Sequence, residues 1–559
     1  VLDIFSLSKI MRRGDDPFYT IFGRRFVFRS RGKSAIKDNI KVAKFIAEMV
    51  KTSLGPRGMK KLVVTKTGEI VATTDGATIL KKMDFSLMFD HPIVNIFVEA
   101  AKSQERNVGD GTIATVFLAG ELAWKAGGLI DVGLHPHTII DGYKQALDVA
   151  LRKLKSISRP VDATNYQVMR NLAVTSLCSK DLTLALSKFP DIIAGAILNV
   201  LENRADGNYR VDVDDIKILG IACGSTFESE LVNGVIVDEK LVHPLMPQRV
   251  QNAKIALINE PLELRRRKDQ HTFLTSTSIV IRDPSVVKLF KEEEDRIILE
   301  KIRKLREVGA NVVITPKHID EIAAYYLSKE GILAVRRART TDMRLLMKVT
   351  GGRMVASLND LSENDLGYAD LVEERKMGDK RWVFVYCQKS RGAASIIIKG
   401  GSREQLADLE QATNNALRAL AAVVDNPYVV PGGGATEMAL ATEIRHEALK
   451  YSGKIQSAMI AFSACLERIA MTLAENAGLD PIEMLTILRS KHENNLHQFG
   501  IDVVSGEVRD MFEQGIIEPY SVKEHMLKTA CQAASLLLRI GEVITGPGRE
   551  EKKERKRKS

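Results

Sequence analysis

A four-residue turn, Gly109-Asp110-Gly111-Thr112, constrains this chain more than any other feature. It separates a helix-like stretch, Val98-Glu99-Ala100-Ala101-Lys102, from the apolar run Val116-Phe117-Leu118-Ala119. Paired glycines let a backbone approach an anion closely, and a helix that starts just after them aims free N–H groups at it. Asp110 between the glycines can hold a divalent cation that bridges phosphates, and Thr112 adds a hydroxyl. Alone, such a tetrapeptide reads first as a surface turn.

Three further glycine turns carry the same kind of chemistry. Leu54-Gly55-Pro56-Arg57-Gly58-Met59-Lys60 ends an amphipathic helical segment with apolar residues at Val42, Ala43, Phe45, Ile46 and Val50. Thr73-Thr74-Asp75-Gly76-Ala77-Thr78 follows the strand-like Ile70-Val71-Ala72, and Pro431-Gly432-Gly433-Gly434-Ala435 opens another helical pattern. Each by itself is a helix cap or hairpin turn. Together, with the acidic Asp75 and Asp110, they read as a phosphate cradle.

Their order along the chain resembles the nucleotide site of a chaperonin. More specifically it is similar to group II chaperonins, above all an archaeal thermosome subunit in a divergent, gamma-type form. The resemblance runs from about Arg31 to Ile544 and includes Val242-His243-Pro244, Gly331–Arg337, Leu366–Glu374, Asn476–Pro481, Gly500–Val503 and Ile517-Glu518-Pro519.

Length and composition agree with it. A chain of 559 residues is too long for one core and should divide into two to four domains. With 45% hydrophobic and 27% charged residues it has the make-up of a soluble globular protein. No apolar run is read as approaching the roughly 20 residues of a membrane span, and no secretory h-region with a cleavage site is read at the start. Five scattered cysteines, Cys178, Cys223, Cys387, Cys465 and Cys531, are read as ordinary buried thiols in a reducing cytoplasm. His135-Pro136-His137 reads as a loop rather than a metal site. Of the net charge of +10, the tail Arg549–Ser559 supplies +4, from seven Lys/Arg against three Glu. Such a tail is read as solvated and disordered, and no nucleic-acid motif accompanies it.

Residues about 30–160 are patterned as helices, about 205–400 alternate β-branched runs with helices, and helix returns after about 403. The β-branched runs include Ile255–Ile258, Ser278–Ile281, Val312–Ile314 and Trp382–Val385, and a densely charged helix is expected over Val287–Glu307. A β-containing segment inserted into a helical one suggests a discontinuous domain. The resemblance implies a multidomain α+β/α/β chaperonin fold. Its helical equatorial ATP domain would span 1–162 and 429–548, with an intermediate α/β hinge at 163–229 and 389–428. An apical β-sandwich-like α/β domain would occupy 230–388, with a helical protrusion serving as a lid near Leu264–Val287, and 549–559 would be tail.

The resemblance also implies site roles. Leu54, Gly55, Pro56, Gly76, Gly111 and Thr112 would surround the phosphates of ATP or ADP, Asp110 would hold Mg²⁺, and Asp75 would position the attacking water. Gly433 would pack on the ribose, Glu518 would bond its hydroxyls, Asp502 would lie near the base, and Lys180 would sense the γ-phosphate. Positioning and electrostatic stabilisation are the general logic of such phosphoryl transfer.

Departures from the pattern matter as much. Where the family has an aspartate in Asp-Ala-Leu to orient the hydrolytic water, this chain reads Asn414-Asn415-Ala416-Leu417. Asn415 can hydrogen-bond a water but carries no negative charge and cannot take its proton. Ile113 and Ala114 stand where hydroxyls are usual, Thr74 replaces an Asn, and Ile540-Gly541-Glu542-Val543 replaces Ile-Asp-Asp-Val. Two readings follow: a fully active ATP-hydrolysing subunit, or one that binds ATP with impaired hydrolysis and works in a mixed double ring. Partners would be other chaperonin subunits and unfolded client proteins, with no membrane and no specific nucleic acid. A kinase or Rossmann enzyme is disfavoured because no G-x-x-x-x-G-K-[ST], no G-x-G-x-x-G after a strand and no kinase signature set is present.

Overall fold

The computed structural model describes residues 20–22, 25–65, 68, 70–82, 91–178, 187–203, 209–263, 284–387 and 392–545. Lys180, the Ser278–Ile281 run, residues 264–283 of the expected protrusion and the 549–559 tail lie outside the described residues. Contacts divide the chain into two compact units, one formed by Val1–Ala194 with Gln411–Ser559 and the other by Gly195–Glu410. The division crosses both segments expected for the hinge, 163–229 and 389–428.

The discontinuous unit is helical. Along Gly32–Lys51, Ile36, Ile40, Ala43, Ala47 and Val50 recur three or four residues apart and are buried, which fixes one face of the helix against the core. That face meets the Thr112–Asp131 helix at Gly120, where a Cβ would lie 2.5 Å from Ala47 Cβ, so the two backbones approach only because position 120 has no side chain. Phe97, Phe117, Tyr143 and Phe462 fill the same core, with Tyr143 Oη donating to the carbonyl of Leu122 at 2.8 Å. The chain's distant ends pair as strands, Arg25–Arg31 against Glu542–Thr545.

Two expectations are corrected here. Thr112–Asp131 and Lys454–Ala477 are long and apolar enough to cross a membrane by length and composition, whereas no run was expected to approach that length. Glu121 and Lys125 in the first helix and the Glu467-Arg468 pair in the second break both into shorter apolar runs, which hid this from a search for unbroken ones. Inside the unit most of each apolar stretch is buried among other helices, which explains why they are apolar nearly all round. His135-Pro136-His137 is a helix start rather than a loop. His135 caps Pro136–Ile157, accepting through Nδ1 from the N–H of His137, and Pro136 occupies the first turn, where its missing N–H costs nothing.

The Gly195–Glu410 unit is built on a seven-stranded mixed sheet. Arg249–Ile258 lies at its middle, antiparallel to Gly367–Met377 and parallel to Val312–Ile314. Side-chain alternation gives the sheet two buried faces. Val235, Val237, Val383 and Val385 join the cluster that includes the charged helix, found over Pro284–Glu307. Ile236, Trp382 and Phe384 point the other way, onto Ile221, Val232 and Ile397 of a three-stranded sheet. One edge of the large sheet is thus packed face to face with a second, smaller one.

Candidate functional site

Both units have their own core, but the glycine turns all fall in the helical one. The Ile93–Val108 helix stops at Gly109, with φ 72°, and Thr112–Asp131 starts from Gly111, with φ 78°. Both values lie in the left-handed region that favours glycine, so the Gly-x-Gly spacing is required by the turn around Asp110. Asp110 Oδ1 accepts from the N–H of Gly111 at 2.7 Å. Gln104, fully buried, ties the loop down from below: its Nε2 donates to the carbonyls of Asp110 at 2.8 Å and Val522 at 3.2 Å.

No side chain caps the start of Thr112–Asp131, and none caps the helix Ala435–Ala448, which begins at Gly434 with φ 77°. Both helix starts open into one cavity of ≈ 180 Å³, far larger than the space one water needs. Free N–H groups at two helix N-termini give that cavity a preference for anions.

Sheet pairing assembles the rest of its wall. The Tyr428–Pro431 strand lies beside Ile517–Pro519 with Val430 opposite Glu518, so Gly433 and Glu518, far apart in sequence, become neighbours. Ile501 donates its N–H to Gly433 O at 2.9 Å, which brings in the hairpin carrying Asp502. At Gly433 a Cβ would lie 2.7 Å from Met511 Sδ and 2.8 Å from Ile501 O. Among residues expected in the site, Leu54, Gly55, Pro56, Asp110, Gly111, Thr112, Gly433, Asp502 and Glu518 all line this cavity.

Asp75, Gly76 and Asn415 do not line it; they are joined to its edge through Thr112. Thr112 Oγ1 donates to Asp75 Oδ1 at 3.3 Å, and Asn415 Nδ2 donates to the same oxygen at 3.4 Å. Asp75 Oδ2 accepts from the N–H and hydroxyl of Thr78 at 2.8 and 2.9 Å, capping the short Gly76–Lys82 helix. Gly76 itself packs against Ile113, where a Cβ would come within 3.0 Å. Asn415 is fully buried, and its Oδ1 accepts from Gln411 Nε2 at 3.2 Å while Gln411 also donates to Glu105 at 2.6 Å. These contacts orient the Asn415 amide with its donor toward Asp75.

Several lining residues were not legible beforehand. Val174, Thr175 and Cys178 contribute one wall, so Cys178 is a pocket residue rather than an ordinary core thiol; burial pushes it up to about 11, which keeps it protonated. Glu437 and Lys523 also line the cavity. Lys523 Nζ bridges Glu437 Oε1 at 2.6 Å and Glu518 Oε2 at 2.7 Å. Burial raises the Glu518 carboxyl above its ordinary range against the pull of Lys523. Asp502 goes the other way: burial opposes its charge, but bonds from Ser505 Oγ and the Val504 N–H hold its carboxyl below the usual value. Only the i, i+2 and i, i+3 spacing of Asp502 to these donors was visible in sequence.

The family model described as TCP-1/cpn60 chaperonin family matches residues 46–547, which span all four glycine turns. The chain belongs to that chaperonin family. Among its relatives, thermosome subunit beta of Desulfurococcus mucosus is 42% identical over 91% of this chain and 100% of its own length. A thermosome subunit of Methanopyrus kandleri is 42% identical over 93% of each chain. Thermosome subunit alpha of Archaeoglobus fulgidus is 40% identical over 94% of each. Similar identity to alpha and beta subunits places this chaperonin chain in the thermosome group without setting its subunit type.

Proposed function

We propose that this chaperonin chain binds ATP in the cavity of its helical unit and hydrolyses it poorly, as one subunit of a mixed double ring that encloses unfolded proteins. The observation that carries the reading is the Asn415–Asp75 contact at 3.4 Å between two buried side chains. A buried amide there offers a donor to Asp75 where the family's aspartate would offer a second carboxylate. It orients a water without accepting its proton. The retained Asp75 and Thr112 favour slow turnover over none.

The residues fit the expected groups. Two uncapped helix N-termini and three close-packed glycine turns suit a triphosphate. Among the described residues no three His, Cys, Asp or Glu form a metal cage, so a metal at Asp110 would complete its shell with phosphate oxygens and water, as Mg²⁺ does. Bound there, Mg²⁺ would neutralise phosphate charge. Asp110 would hold it, Thr112 and the Gly111 turn would orient the phosphates, and Gly433 would leave room for the ribose beside Glu518. The equatorial, hinge and apical boundaries, the lid near Leu264–Val287, the γ-phosphate role of Lys180, a gamma-type assignment and a cytoplasmic location belong to the same proposal and rest on the resemblance alone.

Steady-state ATPase of the purified chain, alone and mixed with subunits carrying the aspartate, tests it. The expected result is weak activity alone and ring activity set by the other subunits. Hydrolysis alone at the rate of an aspartate-bearing subunit overturns the impaired reading and leaves a fully active chaperonin.

A further inference from the structure

The turn around Asp110 rests on hydrogen bonds that its own residues do not supply. Gln104 and Asn107 lie three apart on the Ile93–Val108 helix, and Val522, His525 and Thr529 lie three and four apart on Tyr520–Arg539, so each set shares one face of its helix. Side-chain bonds join the two faces. Gln104 Oε1 lies 2.7 Å from His525 Nδ1, Thr529 Oγ1 lies 3.2 Å from the same nitrogen, and Asn107 Nδ2 lies 2.9 Å from His525 Nε2. Gly111 packs directly on this layer: a Cβ there would lie 3.1 Å from both Gln104 Nε2 and Val522 Cγ1.

The partners select one tautomer. Gln104 Nε2 faces the carbonyls of Asp110 and Val522, which only accept, so the amide nitrogen belongs there and Oε1 must accept in its turn. His525 Nδ1 therefore carries the proton and donates to Gln104, while Nε2 keeps a lone pair that accepts from Asn107. Burial lowers the imidazole pKa below its ordinary value, with Lys528 adding to the effect and Glu524 opposing it, so the neutral form that these bonds need is the one present at pH 7. Gln104 is fully buried. Without the Nδ1–H its oxygen is stranded, and an amide that moves to find another donor lets go of the Asp110 carbonyl.

We propose that His525 is a positioning residue for the metal half of the site: its Nδ1–H holds the Gln104 amide, which fixes the Asp110 carbonyl and so the turn from which the Asp110 carboxylate would hold Mg²⁺. Neither His525 nor Gln104 lines the cavity, so both act through the turn. The proposal rests on the nucleotide reading above and adds to it a residue outside the cavity.

The test is calorimetric titration of ATP into the full chain at stepped Mg²⁺ concentrations and in EDTA, for the unaltered protein, His525→Leu, His525→Ala and His525→Asn. Circular dichroism checks folding, and alanine keeps the comparison open where leucine is not tolerated. Asparagine retains an N–H donor as many bonds from Cα as Nδ1. In the leucine and alanine variants the Mg²⁺ needed for half of the metal-dependent gain in affinity should rise about three- to tenfold, at or below the low end of the roughly 10–100-fold typical when a group supporting a metal ligand directly is removed. Affinity in EDTA should hold within about twofold, because helix N–H groups hold the phosphates without metal. In His525→Asn the Mg²⁺ requirement should return toward that of the unaltered chain. An unchanged Mg²⁺ requirement in the leucine and alanine variants overturns the proposal and leaves the nucleotide reading standing. Equal weakening with and without Mg²⁺, the mark of a merely structural role, does the same, as does failure of asparagine to restore the requirement. ATP binding by the unaltered chain that is indifferent to Mg²⁺ overturns the metal role of Asp110 together with this proposal, and absence of ATP binding overturns the nucleotide reading as well.

Discussion

The amide of Asn415 donates to Oδ1 of Asp75 at 3.4 Å, joining residues 340 positions apart in the chain. Thr112 donates to the same oxygen, so a helix start, a helix cap and a residue in the middle of the Arg403–Asp425 helix converge on one carboxylate.

Asn415→Asp should raise single-turnover ATP hydrolysis, with affinity for ATP nearly unchanged. Acid–base groups contribute about 10²–10⁴-fold, and the gain should fall short of that because Ile113, Ala114 and Thr74 are read by resemblance as further departures in the same site. Adding Asp75→Ala should abolish the gain. The same Asn415→Asp change places two buried carboxylates in contact, so thermal unfolding without nucleotide should shift to lower temperature.

Asp110→Ala should weaken MgATP binding by roughly tenfold or more, about 1.4 kcal/mol, measured by titration calorimetry. Its carboxylate also accepts from the Gly111 N–H, so circular dichroism should accompany the titration to show that the turn persists. Unchanged affinity means Asp110 is only a turn residue.

Gly433→Ala should destabilise the helical unit by about 1–3 kcal/mol in urea unfolding. The residue has φ 60°, and the added Cβ would press on Met511 Sδ and Ile501 O. Stability unchanged within error contradicts the packing described for this turn.

His492 gives a pH signature. Burial pushes its imidazole down to about 4; Nε2 faces Phe499 O at 2.9 Å, and Nδ1 is buried without a partner among the described residues. The unfolded chain, with an imidazole near 6.5, binds a proton that the folded one refuses. Stability should therefore fall as pH drops from about 6.5 to about 4 and level off below that, by on the order of 3 kcal/mol from this residue. The slope of unfolding free energy against pH should flatten in this window in His492→Asn; an unchanged slope refutes the assignment.

The family, the helical ends with a β-rich middle and the four glycine turns were all legible in the order of the amino acids. These are local matters: a left-handed φ at Gly109 and Gly111 or a three-to-four-residue apolar spacing in Gly32–Lys51 is written in a few adjacent residues. The resemblance also carries the expectation that Asn415 departs from the family's pattern. That Asn415 turns its donor to Asp75 emerges with the folded chain, because that orientation depends on Gln411 and Glu105 across a helix contact. Lys523 likewise could be read as an ordinary helical lysine until strand pairing set Glu518 beside the Gly432–Gly434 turn and helix packing brought Glu437 to meet it. Charge pairing between distant segments leaves no periodicity in the chain, since the energy that selects it arises only once burial has removed water from both partners.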